Sequence, residues 1–361
     1  MTIRKKIIFI LPSMEGGGSE RVVSILVKHL SREKFDIILV LLRKKGQYLD
    51  DLPNDITIID LNVNAARFAV FKIINIIRKL NPDIVFSTLG HLNILISILK
   101  PFLATKIKFI ARESSIVSLR NNQKYPTALF DLLYKTFYNN FDWIICQSNY
   151  MMNDLHNHYK IKKEKMIVIN NPVDIENINQ LSKESDNLLF EKEKINLLAV
   201  GRLEKVKGYD LLLRTLSELN SSYHLTIIGE GSEENILKAL ARTLNVENQI
   251  NFLGFQKNPY QYMRQADLCI LSSQYEGFPN VVLEANVCGT PVVAFECPGG
   301  TAEIIENGIN GFLVECENIK ELRTKIEYTS LYKFDKNKII NMINYKYNVD
   351  FIIKKYECIF L

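Results

Sequence analysis

Residues 197–208 read Leu-Leu-Ala-Val-Gly-Arg-Leu-Glu-Lys-Val-Lys-Gly, and a helical pattern of apolar residues follows from Tyr209. A short apolar run that ends in glycine and leads into a helix is the strand–loop–helix unit of α/β sheets. The same alternation recurs along the chain of 361 residues. The sequence therefore predicts an α/β fold whose parallel strands are buried by helices on both faces.

The alternation divides into two series. Buried strands are predicted at Ile7–Leu11, Ile37–Leu42, Ile56–Leu61, Ile84–Ser87, Ile107–Ala111, Trp143–Cys146 and Met166–Ile169, and then at Leu197–Val200, Leu225–Ile228, Ile250–Leu253, Leu268–Leu271, Val292–Phe295 and Phe312–Val314. Helices are predicted between them, the first capped by Ser19. Pro172 and the polar stretch Asn177–Asn187 indicate a connection.

We therefore predict two Rossmann-like, doubly wound parallel-sheet domains that face each other across a cleft. They cover residues 1–172 and 173–346, and residues 347–361 form a final helix whose apolar spacing favours packing on the first domain. Ligands of such sheets bind at the carboxyl ends of the strands. A cleft between two sheets suits a reaction of two substrates that must exclude water.

The charge of the chain is distributed unevenly. Residues 1–170 carry 25 Lys and Arg against 14 Asp and Glu, a balance of +11, whereas the remaining residues carry −6. A basic first half predicts an anionic partner, such as an acidic lipid surface or a phosphate-bearing acceptor, or else a solvated lysine-rich face. No motif indicates nucleic acid binding.

The six cysteines form no Cys-x-x-Cys pair and lie in apolar surroundings, which is typical of buried free thiols in a reducing compartment. No Cys and His spacing indicates zinc. The apolar run after Arg4-Lys5-Lys6 is too short for a signal peptide, and no run is long enough to cross a membrane. The sequence thus predicts a cytoplasmic protein, or one at the inner face of the cytoplasmic membrane.

Arg202 and Lys207 follow the strand Leu197–Val200, beside Gly201. Two cations at the carboxyl end of a strand can stabilise the charge that develops on a diphosphate leaving group without a metal ion. An ordinary basic surface loop is the alternative interpretation.

A second group of candidates lies in Glu276-Gly277-Phe278-Pro279-Asn280-Val281-Val282-Leu283-Glu284. Pro279 favours a helix start, which leaves Glu276 in the loop and Glu284 in the helix. The amides of Asn280, Val281 and Val282 then form an anion site, with one carboxylate on either side. The alternative is a pair of solvent-facing acids near a helix start, where acids are favoured anyway.

These segments together resemble the retaining glycosyltransferases of family 4, which have the GT-B fold, and the resemblance covers nearly the whole chain. Further matching motifs are Gly16-Gly17-Gly18-Ser19-Glu20-Arg21, Gly229-Glu230-Gly231, Gly254-Phe255, Pro298-Gly299-Gly300 with Glu303, and Asn307-Gly308 with Gly311.

The resemblance implies a role for each matching residue. Arg202 and Lys207 would bind the donor diphosphate, Glu276 the transferred sugar and Glu284 the ribose. Backbone near Gly254 and Phe255 would hold the base, with Gly17, Gly201 and Phe278 also on the donor side. Retention of anomeric configuration and the absence of a metal or other cofactor are implied as well.

The first series of strands supplies acceptor-side candidates. The amides of Gly16, Gly17 and Gly18 can approach phosphate or acceptor, unless the glycines serve only a turn with positive φ. His91 follows the strand Ile84–Ser87, and related enzymes place a histidine from this loop near the reacting sugar. Asn93 could fill that role instead, and His91 would then be an ordinary hydrogen-bonded loop residue. Arg112-Glu113, which follow the strand Ile107–Ala111, are further candidates for the cleft.

Aromatic residues are concentrated in Tyr125–Phe141, namely Phe130, Tyr134, Phe137 and Tyr138, with Lys124 and Lys135 nearby. They predict either a core stripe, which is the commoner use, or contact with a membrane or a lipid-linked acceptor.

The resemblance therefore implies a retaining glycosyltransferase that moves a hexose or N-acetylhexosamine from a nucleotide diphosphate sugar, with UDP preferred by the same resemblance. Its acceptor would be a saccharide or lipid-linked saccharide in envelope polysaccharide synthesis. A nucleotide-sugar epimerase and a non-catalytic sugar-binding protein are the alternatives. A dehydrogenase is excluded, because Gly16-x-Gly18 and Gly229-x-Gly231 both lack the third glycine of G-x-G-x-x-G.

Overall fold

The computed structural model describes residues 4–119, 127–184 and 189–361. These residues form two compact units, of which the first comprises Met1–Pro172 with Val349–Leu361 and the second Val173–Asn348. In each unit a parallel sheet carries helices on its surface, so the predicted α/β fold with two Rossmann-like sheets is confirmed.

The sheet of the first unit has the strand order β3-β2-β1-β4-β5-β6-β7. Its strands are β1 (Lys5–Leu11), β2 (Phe35–Leu41), β3 (Thr57–Asp60), β4 (Ile84–Thr88), β5 (Lys108–Arg112), β6 (Trp143–Cys146) and β7 (Met166–Val168). The helices between them are α1 (Gly18–His29), α2 (Val70–Leu80), α3 (Gly90–Leu99), α4 (Thr127–Phe137) and α5 (Asn149–Tyr159). Both faces of β1 are buried, which explains its continuous apolar sequence.

The sheet of the second unit has the order β10-β9-β8-β11-β12-β13. Its strands are β8 (Ile195–Val200), β9 (Tyr223–Ile228), β10 (Ile250–Phe252), β11 (Leu268–Leu271), β12 (Val292–Phe295) and β13 (Gly311–Val314). Its helices are α6 (Ile175–Leu181), α7 (Tyr209–Ser217), α8 (Glu234–Thr243), α9 (Tyr260–Gln265), α10 (Asn280–Val287), α11 (Thr301–Ile304), α12 (Ile319–Leu331) and α13 (Lys336–Tyr347).

Alternate residues of β8 point into different cores. Leu197 and Ala199 pack with α7, α8 and α12, whereas Leu198 packs with α6, α9, α10 and α13. The second sheet is therefore covered on both faces, as the apolar strand sequences predict.

The last helix, α14 (Val349–Phe360), returns to the first unit. Phe360 is fully buried, and its ring centroid lies 6.3 Å from that of Phe9 and 5.9 Å from those of Phe35 and Phe86. Glu357 forms an ion pair with Lys34 at 2.6 Å. Aromatic packing thus fixes the end of the chain on β1, β2 and β4.

Two local predictions were wrong. Ser19 does not cap α1, because the helix already begins at Gly18 with Gly17 at the N-cap. The predicted connection at Asn177–Asn187 begins instead with α6, since Asp174 caps that helix and accepts a hydrogen bond from the amide of Asn177 at 3.1 Å. Residues 185–188 lie outside the described residues.

The two tyrosines of the predicted aromatic stripe are part of the core. Tyr134 on α4 and Tyr138, in the short turn that follows α4, are fully buried with ring centroids 4.5 Å apart, whereas Phe130 and Phe137 are partly buried. Lys124 and Tyr125, at the start of that predicted segment, lie outside the described residues. α13 was not predicted, although Asp335 caps it through the amides of Asn337 and Lys338.

Replacing Phe360 with alanine tests the anchoring of α14. We expect Phe360→Ala to lower the free energy of unfolding of the first unit by about 3–5 kcal/mol, because a buried ring and its packing are lost. Phe351→Ala on the same helix is the control, since Phe351 is 47% exposed. Urea denaturation followed by circular dichroism measures both, and equal effects would contradict the anchoring role.

Candidate active site

The strand order of the second sheet changes direction between β8 and β11, which lie next to each other. Loops that leave the carboxyl ends of two such strands diverge and leave a crevice, where ligands of open α/β sheets bind. The loop after β8 carries Arg202 and Lys207, and the loop after β11 leads to Glu276. The topology therefore brings two groups of predicted site residues to one place.

Lys207 and Glu276 form an ion pair across this crevice. Lys207 Nζ donates to Glu276 Oε1 at 2.6 Å, and Ser273 Oγ donates to the same oxygen at 2.6 Å. The two charged side chains are only 22% and 13% exposed. Because water screens them little, the pair is stronger than an ordinary surface ion pair.

Further hydrogen bonds join the two loops. Ser272 Oγ donates to the carbonyl of Lys207 at 2.9 Å, and the amide of Gln274 donates to the carbonyl of Val206 at 2.8 Å. Gly208 has φ +61°, and a Cβ there would lie 2.1 Å from the carbonyl oxygen of Ser272. A residue with a side chain at position 208 would therefore push the loops apart.

Arg202 is more exposed than Lys207. Its side chain is 68% exposed, and Nη1 lies 2.7 Å from Glu204 Oε1. Lys207 Cε would lie 3.8 Å from a Cβ at Gly201, so the lysine chain passes beside the backbone that precedes Arg202. Both predicted diphosphate ligands thus belong to the same strand end, and Arg202 has room to move toward a ligand.

The loops after β9 and β10 extend this edge. The amide of Leu203 donates to the carbonyl of Glu230 at 2.9 Å, and that of Gly229 donates to the carbonyl of Gly254 at 2.9 Å. The amide of Phe255 donates to Glu230 Oε1 at 3.3 Å. Phe255 is 50% exposed, which leaves its ring accessible for stacking.

The residues from Phe278 to Val282 differ in how deeply they are buried. Pro279 is the N-cap of α10 and no side chain caps that helix, while Asn280 and Val281 are partly buried in its first turn. Val282 is fully buried. Phe278 is also buried, with its ring centroid 5.6 Å from that of Tyr347, so it packs under the loop.

Glu284 lies within α10 and is only 6% exposed. Burial first, and the nearby Glu284 carboxylate second, raise the pKa of the Cys269 thiol to about 12. Glu284 therefore lies close to Cys269 on β11. Its contact with a ribose stays a prediction.

In the first unit the strand order changes direction between β1 and β4. The Gly16-Gly17-Gly18 loop follows β1, and the turn before His91 follows β4. Gly17 has φ −87°, and Gly16 and Gly18 also lie outside the left-handed region. A positive φ therefore does not explain the three glycines.

A side chain at Gly16 or Gly17 would meet only the flexible side chains of neighbouring residues. A Cβ at Gly16 would meet the amide of Gln47 at 2.8 Å, and one at Gly17 would meet the Glu20 carboxylate at 2.2 Å. Both neighbours can move aside. Gly16 and Gly18 are exposed, which leaves their backbone open to approach, whereas the amide of Gly17 already donates to the carbonyl of Glu15 at 2.7 Å.

His91 is partly buried in the first turn of α3. Leu89, the N-cap residue of α3, has φ +74°, which is a strained backbone angle for a residue as bulky as leucine. Asn93 is fully buried: Ser87 Oγ donates to its Oδ1 at 2.8 Å, and its Nδ2 donates to Glu113 Oε1 at 3.2 Å.

Arg112 and Glu113 are buried with Asn93. Arg112 Nη2 donates to Asn171 Oδ1 at 2.6 Å, and Tyr134 and Tyr138 donate to the Glu113 carboxylate. Burial, followed by the charge of Glu113, raises the pKa of Tyr138. The structure thus places Asn93 and Arg112 inside a polar network, and their contact with an acceptor stays a prediction.

No helix in residues 4–119, 127–184 and 189–361 is long and apolar enough to span a membrane. Across the same ranges, no group of three or more His, Cys, Asp or Glu side chains is arranged to hold a metal ion.

The sequence did not predict two contacts of this site: the hydrogen bond from Ser273 to Glu276, and the one from the amide of Phe255 to the Glu230 carboxylate. Ser272-Ser273 does follow a buried strand directly at the predicted ligand edge, which is a usable signal. Glu230 lies between two glycines of a loop that was recognised only as a motif.

Comparison with known proteins gives family and fold. Residues 182–348 match the family model described as Glycosyl transferases group 1, and residues 16–177 match the one described as Glycosyltransferase Family 4. The Anabaena protein HepE, solved in complex with UDP-glucose, superposes with a TM-score of 0.80 at 20% identity, over 99% of both chains.

Two curated proteins match over most of their length. An N-acetylgalactosamine-N,N'-diacetylbacillosaminyl-diphospho-undecaprenol 4-alpha-N-acetylgalactosaminyltransferase from Campylobacter jejuni is 31% identical over 343 residues, which is 90% of this chain and 91% of that protein. The amylovoran biosynthesis glycosyltransferase AmsD of Erwinia amylovora is 26% identical over 317 residues, 87% of this chain and 86% of its own.

Gly229 tests the close packing of the loops. It has φ +143°, and a Cβ there would lie 2.0 Å from the carbonyl oxygen of Gly201. We expect Gly229→Ala to destabilise the second unit by more than about 3 kcal/mol, because a backbone clash adds to the strain. Gly308→Ala is the control, with φ +78° and Tyr332 Oη at 3.3 Å, and should cost about 1 kcal/mol. Chemical denaturation compares them, and similar losses would show that loop packing is unimportant.

Proposed function

The chain belongs to the group 1 glycosyltransferases, and we propose that it transfers a hexose or N-acetylhexosamine from a UDP-linked donor to a saccharide or lipid-linked saccharide during envelope polysaccharide synthesis. The observation that carries this proposal is the contact between Lys207 and Glu276 at the carboxyl edge of the second sheet. A cation for a diphosphate lies there beside a carboxylate that can accept hydrogen bonds from sugar hydroxyls.

The donor site is built from loops of the second unit. Lys207 Nζ uses one N–H on Glu276 and retains two more for phosphate oxygens, since an ammonium group has three donors. Arg202 supplies a second cation. The uridine base lies at Gly254 and against the exposed ring of Phe255, and Glu284 binds the ribose. The UDP-glucose complex of the Anabaena protein, which shares the fold, supports a UDP donor.

The amino-terminal turn of α10 supports the diphosphate. The first amides of a helix have no acceptor within the helix itself, so the amino end of α10, at Asn280 and Val281, can face an anion. Phe278 and Val282 are buried beneath that turn and keep it rigid.

The proposed reaction is a front-face displacement with retention. The acceptor hydroxyl oxygen attacks the anomeric carbon on the face from which the diphosphate departs. The bond from the anomeric carbon to the phosphate oxygen breaks as the new glycosidic bond forms, and the hydroxyl proton passes to the departing diphosphate. Lys207 and Arg202 stabilise the charge on the leaving oxygen, a task for which other enzymes use a metal ion.

The acceptor is assigned to the first unit. The exposed backbone at Gly16 and Gly18 suits an anionic or hydroxyl-rich group, and His91 lies at the carboxyl edge of β4. The name of the Campylobacter jejuni relative describes a diphospho-undecaprenol acceptor, and the similarity over 90% of this chain supports an acceptor of that chemical class.

A lipid-linked acceptor requires access to a membrane, and the region of α2 offers a suitable surface. Phe68 and Phe71 are 61% and 79% exposed. Residues 61–82 contain four basic residues, Arg67, Lys72, Arg78 and Lys79, and no acidic one. Exposed aromatic rings among cations favour an anionic lipid surface. We propose this surface for membrane contact in place of the aromatic segment Tyr125–Phe141, because Tyr134 and Tyr138 of that segment are buried.

Donor turnover tests the assignment of the site. A panel of UDP-glucose, UDP-galactose, UDP-GlcNAc and UDP-GalNAc identifies the donor, with extracted lipid added as acceptor. We expect Lys207→Ala and Glu276→Ala each to lower turnover about 10²–10³-fold, because each removes a group that acts on the reacting sugar or leaving group. Conversion of the donor without any acceptor would instead indicate the epimerase alternative.

Lys205→Ala is the matched control for this experiment. Lys205 lies two residues away, with its side chain 72% exposed and paired to Asp210 at 3.3 Å. Exposed pairs contribute little, so turnover should stay within about twofold of the parent. Near-normal rates in both site variants would refute the site assignment.

Vesicle binding tests the surface near α2. We expect the double variant Phe68→Ser, Phe71→Ser to reduce partitioning onto vesicles that contain phosphatidylglycerol by about tenfold or more, because two apolar rings no longer enter the interface. Tyr345→Ser is the control, since Tyr345 is 85% exposed on α13. Equal binding of the parent to neutral phosphatidylcholine vesicles, or an equal loss in the control, would contradict the proposal.

A further inference from the structure

The two carboxylate oxygens of Glu276 have different surroundings. Oε1 accepts two hydrogen bonds at 2.6 Å each, from Lys207 Nζ and from Ser273 Oγ. Among the residues that the structure describes, none donates a hydrogen bond to Oε2. A carboxylate oxygen that already has two donors is nearly saturated, so further hydrogen bonds to Glu276 go to Oε2.

Lys207 alone is a weak means of orienting this carboxylate. Its ammonium group ends a flexible four-carbon chain, and by the proposed function it also donates to the diphosphate. Its exposure of 22% leaves it some freedom to move. A group that serves two anions cannot fix the direction of one of them.

Ser273 has the properties that Lys207 lacks. Its side chain has one heavy atom beyond Cβ, and the residue is only 1% exposed. It follows β11 by two residues, and its neighbours Ser272 and Gln274 are both hydrogen-bonded to the Lys207 loop. The hydroxyl is therefore held in place by a buried backbone that is tied on both sides.

The backbone of Glu276 is fixed as well. Its amide donates to the carbonyl of Pro298 at 3.0 Å, and its carbonyl accepts from the amide of Gly300 at 3.2 Å. The remaining freedom lies in the side-chain torsions, and the Ser273 hydroxyl restrains their outer end. The direction of Oε2 follows once Oε1 is held.

We propose that Ser273 is a positioning residue that holds Oε1 of Glu276 so that Oε2 accepts a hydrogen bond from a hydroxyl of the transferred sugar. This inference rests on the proposed function, since it requires Glu276 to bind that sugar. Ser273 itself contacts neither the sugar nor the diphosphate. Its effect is confined to the part of the donor that Glu276 touches.

The inference makes a differential prediction for the variant Ser273→Ala. Hydrogen bonds to charged groups are worth enough that losing one weakens an interaction by about 10- to 100-fold. We expect a loss in this range in the affinity for whichever UDP-sugar of the panel binds most tightly. The affinity for UDP alone, which has no transferred sugar, should stay within about twofold. Isothermal titration calorimetry measures both.

Two further variants separate positioning from a structural role. Ser273→Thr keeps the hydroxyl and should restore most of the affinity for the UDP-sugar. Ser217→Ala is the control, because Ser217 is exposed and its hydroxyl donates only to the carbonyl of Arg214 at 2.8 Å. If Ser273→Ala weakens UDP and UDP-sugar equally, or weakens neither, the inference is wrong.

Glu276→Ala distinguishes failure of this inference from failure of the proposed function. If Glu276→Ala keeps the parent affinity for the UDP-sugar, the proposed site is wrong and the inference falls with it. If Glu276→Ala is impaired while Ser273→Ala behaves as the parent, only the inference falls. If the inference is right, adding Ser273→Ala to Glu276→Ala lowers the affinity for the UDP-sugar by less than about a further twofold, because both residues act through one contact.

Discussion

The ion pair between Lys207 and Glu276 depends on the order of the strands in the second sheet. β8 and β11 are neighbours in space, but 67 residues separate the end of β8 at Val200 from the start of β11 at Leu268. A parallel sheet places the carboxyl ends of both strands at one edge, so each loop carries its charged residue to the same crevice. The pair then joins two loops that no local sequence signal connects.

The glycines around this crevice make the close approach of the loops possible. Gly208 lies against the carbonyl of Ser272, and Gly229 against that of Gly201. Each contact leaves no room for a Cβ, and each glycine has a positive φ. The edge of the sheet is therefore a set of backbones in direct contact, on which Lys207, Ser273 and Glu276 have defined positions.

Much of the fold follows from local sequence. Strands such as Leu268–Leu271 and Val292–Phe295 were placed correctly, because strands buried on both faces have an unbroken apolar sequence. α6 was missed because its buried face consists of only Ile175 and Ile178, too few to stand out against polar neighbours. The predicted start of α1 differs from the observed one because Ser19 was taken as the N-cap residue, whereas Gly17 has that position.

The site was predictable only in part. Motifs identified Lys207 and Glu276, but their direct contact and the role of Ser273 depend on the packing of separate loops. Asn93 and Arg112 show the limit most clearly. Both lie at or near strand ends, where ligand contacts are expected, and yet both are engaged in buried hydrogen bonds, Asn93 with Glu113 and Arg112 with Asn171. Sequence position gives the edge of the sheet but not the direction of a side chain.

The first unit is built from both ends of the chain, and this affects how it is made in the cell. Synthesis proceeds from the amino terminus, so β1, β2 and β4 leave the ribosome long before α14 exists. The rings of Phe9, Phe35 and Phe86 lack the cover of Phe360 throughout synthesis of the second unit. Until α14 is made, the nascent first unit thus carries an exposed apolar face, the kind of surface that chaperones bind.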